Sequence, residues 1–300
     1  MASSGPPRDM LCRVSRAWRR FVANRGAVAG AVLVAALVVV AALAPVLSGK
    51  DPLVSDVEHG LSALGAPLPP SGEAVLGTDQ LGRDVWARVV AGAGTSLSIA
   101  AIATLIALGI GLLVGLVAGY AGGSIDNALM RLVDLVLGFP FVLLAILLAS
   151  LFREADLASS NAPVFLTIGA VTWTPLARVI RGKTAVLARS DMITAARAIG
   201  APPGRLMVRY LLPNMAGAVI VVTALGFAQN LLAESVLSYL GLGPPPPAPT
   251  WGRMLYEGRA YFRIAPHLVL APGVAILLAV VGFNLLGEGL RDAVDPKDPR

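Results

Sequence analysis

Six stretches of this sequence are nearly or fully free of Asp, Glu, Lys and Arg over about the length of a membrane-crossing helix. Crossing a hydrocarbon core of about 30 Å takes roughly 20 helical residues. Backbone groups in lipid must bond within their own segment, so these stretches are predicted to be helices, whereas a β-barrel would show alternating polarity. The predicted fold class is an all-α membrane protein with six transmembrane helices, at 26–47, 95–120, 129–152, 162–180, 214–236 and 266–289.

The composition excludes most soluble classes of protein. Hydrophobic residues make up 56% of the chain and charged residues 14%, which is far from the averages of globular proteins. A water-soluble enzyme, a nucleic-acid-binding protein and a disordered chain are therefore all disfavoured. Cys12 is the only cysteine, and the two histidines, His59 and His267, lie far apart in sequence. These counts predict neither a disulfide nor a metal site.

The first apolar run, 26–47, follows a basic N-terminal tail, 1–25, and so has two interpretations. One is a cleaved signal peptide, whose apolar region has about 7–15 residues. This run is longer than that, and Ala44-Pro45-Val46 is a poor cleavage site. An uncleaved membrane helix is the favoured interpretation.

The distribution of basic residues predicts the orientation, because cytoplasmic loops carry an excess of Lys and Arg. With the N-terminus inside, 17 of the 24 basic residues fall on the cytoplasmic face and 7 on the other. Both termini are therefore predicted to be cytoplasmic. The cytoplasmic segments are the tails 1–25 and 290–300 and the loop 181–213, and the external segments are 48–94, 153–161 and 237–265.

The cytoplasmic loop 181–213 is much longer than most connections between helices. Its sequence predicts an amphipathic helix that begins after Ser190, a turn at 200–204, and a second helical segment. The small side chains of Ala195 and Ala196 would let a partner approach the backbone closely. The loop is thus interpreted either as a docking surface or as a solvated hairpin that holds the helix ends.

This loop resembles the EAA loop of ABC importer permeases, whose pattern is E-A-A, three residues, G, nine residues, I, one residue, L-P. The matching positions are Ala195, Ala196, Gly200, Leu212 and Pro213. Thr194 stands where the pattern has Glu, and Tyr210 stands where it has Ile. The resemblance implies that Thr194, Ala195, Ala196, Gly200, Leu212 and Pro213 form the surface that couples the chain to ATPase subunits. It does not imply the ion pair that the usual Glu could make.

Two external motifs narrow the resemblance. The run LGTDQLGRD at 76–84, and LGLG at 240–243 followed by a Pro-rich stretch and TWGRML at 250–255, look like the dipeptide/oligopeptide/nickel permease family. Within it they are similar to the subunit with a long external segment after its first helix. The resemblance extends from about residue 14 to 295.

The resemblance implies a six-helix permease bundle of a type I ABC importer in a bacterial inner membrane. It also implies three kinds of protein partner: a homologous second permease, two ABC ATPase subunits, and an extracytoplasmic substrate-binding protein. ATP and Mg would be bound by the ATPase subunits, so that this chain is expected to have no cofactor and no catalytic residue. Trp251 and Arg253, in the external loop 237–265, are candidates for docking the binding protein.

Several residues within the spans are further candidates. Glu234 either lines the translocation path or bonds neighbouring backbone amides. Pro140 should kink the third helix and either shape a cavity or merely bend around a neighbour. Arg131 and Asp134 are three residues apart, so mutual pairing is expected.

Gly111, Gly115 and Gly119 form a small-residue stripe on the second span. Static packing against another helix is favoured over a sliding surface.

The sequence therefore predicts the permease subunit of an ATP-driven importer for di- or oligopeptides. A nickel or other small-solute permease of the same family is the alternative. A secondary carrier or channel, from another class, is disfavoured because no carboxylate lies at mid-depth in the six spans.

Overall fold

The computed structural model of the chain describes residues 18–152 and 161–294. The predicted tails and the short external segment 153–161 lie largely outside them. The helices are α1 (Arg25–Ala42), α2 (Ala44–Leu47), α3 (Val85–Ala121), α4 (Gly123–Gly138), α5 (Phe141–Phe152), α6 (Ala162–Leu187), α7 (Asp191–Ala198), α8 (Pro203–Arg205), α9 (Leu212–Tyr239), α10 (Trp251–Gly258) and α11 (His267–Val294). Within the described residues, five helical segments are long and apolar enough to cross a membrane, or six if α4 and α5 form one bent span.

Local sequence signals begin several of these helices. The Asn24 side chain accepts hydrogen bonds from the backbone amides of Gly26 and Ala27, and Asp84 accepts one from the amide of Ala87. Such caps satisfy amides that have no partner inside the helix. They place the starts of α1 and α3.

The second span begins ten residues before its predicted start at 95, so the external segment ends at Asp84 rather than at 94. The predicted helix was too short because Arg88 interrupts the charge-free run. In the structure Arg88 is buried, and the carboxylates of Asp79 and Glu257 balance its charge. With 37 residues, α3 is about 55 Å long at 1.5 Å per residue.

The predicted third span, 129–152, is two helices, α4 and α5, which bend by 96° at their junction. Phe139, the residue before Pro140, has an extended backbone (φ −86°, ψ 137°). This conformation is expected because the proline ring disfavours a helical backbone at the preceding residue. The prediction of one kinked helix over 129–152 is therefore wrong.

The fourth and sixth spans are longer than predicted. The fourth continues to Leu187 rather than 180, and the sixth continues to Val294 rather than 289. The predicted ends were placed at charged residues and are therefore too early, because a helix can continue into water beyond the hydrocarbon. Much of the predicted loop 181–213 is consequently helical, including a π-helical turn at Leu206–Leu211 that leads into α9.

The glycine stripe of α3 packs against α6. A Cβ on Gly115 would stand 2.7 Å from the Ala177 carbonyl oxygen, and one on Gly119 would stand 2.5 Å from the Arg181 carbonyl oxygen. A side chain would push the two backbones apart. The stripe thus makes a close helix contact inside this chain, as the static interpretation predicts.

The first and last membrane helices also pack closely. A Cβ on Gly30 of α1 would stand 2.6 Å from the backbone nitrogen of Leu286 in α11. On the other side of the bundle, α3, α6 and α9 surround the break between α4 and α5, and a cavity lies there.

Candidate translocation cavity and partner surfaces

A cavity of about 560 Å³ lies where α3, α6 and α9 meet the break between α4 and α5. Its polar lining residues are Thr104, Thr172, Thr174, Thr223, Gln229 and Asn230. The other lining residues are apolar, and no charged side chain in the described part of the chain contributes. Phe139 and Phe141 line it on either side of Pro140, whose role in the pathway stays a prediction.

Two polar groups on α9 have unused hydrogen-bonding capacity beside this cavity. The Thr104 hydroxyl donates to the Ala100 carbonyl oxygen (2.7 Å) and accepts from Asn230 Nδ2 (2.9 Å). Asn230 Oδ1 therefore points away from Thr104, and it has no partner among the described residues. The Thr223 hydroxyl, two helical turns earlier, is likewise unpaired within the described chain. Sequence reasoning missed both, since Thr and Asn are unremarkable by composition.

Gln229 lies on an exposed face of α9 near the middle of this 28-residue helix. A side-chain amide facing hydrocarbon without a hydrogen bond costs several kcal/mol, about 4–8 by transfer to an alkane. Lipid is therefore a poor neighbour for this position. A polar partner or an aqueous path suits it better.

Glu234 does not line the cavity. It is fully buried near the C-terminal end of α9, and its Oε1 accepts a 2.7 Å hydrogen bond from the Ser238 hydroxyl. Its Oε2 has no partner among the described residues. The bonding to backbone amides that the sequence suggested is not seen, and a place in the translocation path stays a prediction.

The expected pair between Arg131 and Asp134 is wrong. Asp134 binds Arg178 on α6 instead. A second pair joins the same helices, with Arg181 Nε 2.9 Å from Asp126 Oδ1. Asp126 and Asp134 are eight residues apart on α4, and both carboxylates face α6.

The predicted coupling surface includes α7, but Ala195 and Ala196 do not share one face of this helix. Ala196 and Ile193 are buried against the π-helical turn and α9, whereas Ala195 and Thr194 are exposed. The expectation that Ala195 and Ala196 together leave one flat outer face is therefore wrong, because a three-to-four-residue period sets Ala196 with Ile193. Replacing Ala196 by a large residue would disturb the core of this chain as well as any docking.

The exposed end of this loop carries a residue that sequence reasoning overlooked. Ile199 is 82% exposed, and Gly200 follows it with a left-handed backbone (φ +83°). Leu212 and Pro213 begin α9. Arg197 stacks over the ring of Tyr120, 5.4 Å from its centroid, so that α7 contacts the end of α3.

Trp251 does not lie on the external surface, and its predicted role as an exposed docking residue is wrong. It is 1% exposed, its indole nitrogen donates to the Val89 carbonyl oxygen (2.9 Å), and its backbone amide donates to the Ser96 hydroxyl (3.2 Å). A large aromatic ring is more stable against α3 than in water. Arg253 is partly exposed and donates to Glu257 Oε1 at 2.8 Å; its docking role stays a prediction.

Glu257 belongs to a buried charged cluster that the sequence did not reveal, which we call the external charge cluster: Asp79, Arg83, Arg88, Arg253 and Glu257. Burial raises the pKa of the Glu257 carboxyl, but the charge of Arg88 and hydrogen bonds from Arg253 and Arg88 outweigh that effect. The pKa therefore lies below its usual value, and the carboxylate is ionised at neutral pH. The pairs Asp79–Arg83 and Arg253–Glu257 are four residues apart and were visible in the spacing of charges, but Glu257 lies 174 and 169 residues from Arg83 and Arg88.

This bundle of five or six spans, with an uncharged cavity whose mostly apolar wall carries six polar residues, and with a short helix on a long loop, defines the membrane-embedded subunit of a transporter. Residues 111–297 match the model of a family described as binding-protein-dependent transport system inner membrane component. Residues 13–70 match the N-terminal TM domain of oligopeptide transport permease C. The chain belongs to the first of these families and is a permease subunit of an ABC importer, as the EAA-like loop and external motifs predicted.

Its relatives include three kinds of peptide permease. The chain is 36% identical to the dipeptide transport system permease protein DppC of Alkalihalophilus pseudofirmus, over 98% of this chain and 94% of the relative. It is 37% identical to the oligopeptide transport system permease protein OppC of Escherichia coli K12, over 93% and 90%. It is 36% identical to the glutathione transport system permease protein GsiD of Pectobacterium atrosepticum, over 93% and 90%.

The fold is also found in a solved structure of an ABC importer. It is an inward-facing conformation of the MetNI methionine ABC transporter, with a TM-score of 0.54 and 22% sequence identity. The match covers 68% of this chain and 95% of that one. Permeases of this family work with a partner permease and with ATPase subunits in the inner membrane.

Proposed function

We propose that this chain imports short peptides, and that the cavity beside α9 is its half of the translocation path. The observation that carries the proposal is Gln229, an exposed amide within α9 that lines a cavity whose wall carries six polar side chains and no charged one among the described residues. Peptide backbones offer neutral hydrogen-bonding groups at every residue, and such walls suit them. The names of the dipeptide, oligopeptide and glutathione relatives point to the same class of cargo.

Nickel is a poorer fit. A divalent nickel ion favours imidazole and other nitrogen, sulfur or oxygen ligands arranged around it. Among the described residues no group of three or more His, Cys, Asp and Glu could hold a metal ion. A peptide cargo therefore takes precedence over the nickel alternative.

The assembly follows from the same surfaces. A homologous second permease supplies the other half of the path opposite the Gln229 face of α9, one of the two ATPase subunits docks on α7 and the exposed end at Ile199, and an extracytoplasmic binding protein delivers cargo. ATP and Mg belong to the ATPase subunits, so this chain contributes no catalytic residue. Both termini lie in the cytoplasm, as the 17 to 7 division of basic residues favours.

Uptake by the reconstituted complex tests the cargo. Proteoliposomes that hold this chain with its second permease and ATPase subunits should accumulate labelled dipeptides or tetrapeptides when the binding protein and internal ATP are present. Uptake of nickel without any uptake of peptide would contradict the proposal.

Cysteine labelling tests the path. In a background with Cys12 replaced by Ser, a cysteine at Gln229 should react with a water-soluble maleimide in the assembled complex. The matched control is a cysteine at Ile220, which is 52% exposed and lies on the opposite side of α9, because nine residues at about 100° each make a half-turn. It should stay unlabelled. Equal protection of both positions would remove Gln229 from the path.

A further inference from the structure

The external charge cluster contains three guanidinium groups and two carboxylates. Glu257 is its centre, since its Oε2 lies 3.1 Å from Arg83 Nη2 and 2.9 Å from Arg88 Nη1, while its Oε1 lies 2.8 Å from Arg253 Nε. Asp79 binds Arg83 Nε at 2.7 Å and also binds Arg88. Each carboxylate therefore bridges at least two arginines.

Burial makes these bonds depend on one another. The side chains of Asp79, Arg83 and Arg88 are 4%, 9% and 3% exposed, and that of Glu257 is 14% exposed. A charge out of water is stable only where opposite charges and hydrogen bonds replace its hydration. Removing the charge of Glu257 would leave three arginines with Asp79 alone.

The cluster joins three parts of the chain at the external face. Asp79 and Arg83 lie on the turn before α3, Arg88 lies on the first turns of α3, and Glu257 lies near the end of α10. A salt bridge between exposed side chains would tie such elements only weakly. Here the bonds are buried, so the end of α10 is held firmly to the external segment.

The beginning of α10 is fixed to two membrane helices. Trp251 bonds to Val89 and Ser96 of α3. Gly252 packs directly on α9, where a Cβ would stand 2.7 Å from Ser235 Cα. The short helix α10 therefore connects the external segment with the outer ends of both α3 and α9.

We infer that Glu257 is a positioning residue for cargo delivery: it seats α10 so that a binding protein that presses on the external segment moves the outer ends of α3 and α9 together. This inference rests on the proposed delivery by an external binding protein. Glu257 itself touches no cargo. Its effect passes through α10.

Glu257→Gln tests the inference because it removes the charge and keeps the size. The background carries Cys12→Ser and Met254→Cys, since Met254 is only 4% exposed on the inner side of α10. In the assembled complex in lipid nanodiscs, Glu257→Gln should make the cysteine at 254 react with a water-soluble maleimide about tenfold faster or more, as expected for a loosened helix. Stimulation of ATP hydrolysis by the binding protein should fall close to the basal rate, while the basal rate and the abundance stay unchanged.

The matched control is Glu58→Gln, which removes an exposed carboxylate from the same external segment and should change neither measurement.

Unchanged labelling in Glu257→Gln overturns the inference, and so does faster labelling with full stimulation. If Glu257→Gln does not accumulate, the labelling of the cysteine at 254 in Arg253→Gln decides, because this variant removes the outermost ion pair of the cluster and should give a smaller increase in labelling rate; unchanged labelling would overturn the inference. A wild-type complex that the binding protein fails to stimulate contradicts the proposed function, whereas equal stimulation of wild type and Glu257→Gln contradicts this inference alone.

Discussion

Gly115→Ala is expected to destabilise the contact between α3 and α6. The added Cβ would lie 2.7 Å from the Ala177 carbonyl oxygen and 2.7 Å from Ile180 Cβ, where an ordinary contact needs at least 3.4 Å. The helices would have to separate by about 0.7 Å at this point. Neither neighbour can yield easily, because one is backbone and the other is the β-branched carbon of a side chain with no exposed surface.

The magnitude follows by comparison with Gly109→Ala in the same helix, where a Cβ meets nothing within 4 Å. Both variants gain the higher helix propensity of alanine, up to about 1 kcal/mol. Only Gly115→Ala is overpacked, which typically costs about 1–3 kcal/mol. At about 2–4 °C per kcal/mol for chains of this size class, it should melt roughly 2–12 °C below Gly109→Ala.

The assay is the melting midpoint of each purified variant in the same detergent, from size-exclusion chromatography after heating. Comparing the two variants cancels the propensity gain and leaves the packing term. If Gly115→Ala melts together with Gly109→Ala, the stripe is not a close contact and the reasoning from the Cβ distances is refuted.

Two further predictions concern orientation and coupling. In a Cys12→Ser chain, a cysteine at Ser62 should react with a membrane-impermeant maleimide added outside, and a reporter after Arg300 should be cytoplasmic; labelling of Ser62 only from inside would invert the topology. Gly200→Leu should reach the membrane at normal abundance but lose co-purifying ATPase subunits and transport, because a branched side chain opposes the left-handed backbone at the tip of the loop. Gly204→Leu, in open space with an ordinary backbone, is the control, and a Gly200→Leu protein that keeps its ATPase partners would contradict the coupling role of this loop.

The spans could be predicted because the hydrophobic requirement acts on each segment separately. An apolar run must be helical in lipid whatever its neighbours are. Pro140 predicted a kink from its own ring, but not that the span would separate into two helices bent by 96°. The bounds were less accurate wherever a charge entered a helix. Arg88 shows why: its position inside α3 is tolerable only because Asp79 and Glu257 surround it, and sequence spacing does not reveal that proximity.

The contacts of individual side chains could not be predicted reliably either. Asp134 was assigned to Arg131 because residues three apart on a helix are neighbours, yet Arg178 from a helix 44 residues away competes successfully. Trp251 was predicted to lie at a protein–protein interface because such interfaces are rich in aromatic side chains. A buried position against α3 is equally favourable for an aromatic ring. Local patterns rank possible contacts, whereas the packing of distant segments selects among them.

The length of α3 has a mechanical consequence. At about 55 Å it is one continuous helix, with Arg88 in its first turns and Tyr120, beneath the guanidinium of Arg197, at its C-terminal end. A rod of that length that tilts by about 5° as a rigid body displaces one end by about 5 Å relative to the other, which is close to one turn of an α-helix. Because the glycine stripe at residues 111–119 packs directly on α6, we expect the two helices to tilt together, so that a small rotation at one end of α3 displaces its other end by several ångströms.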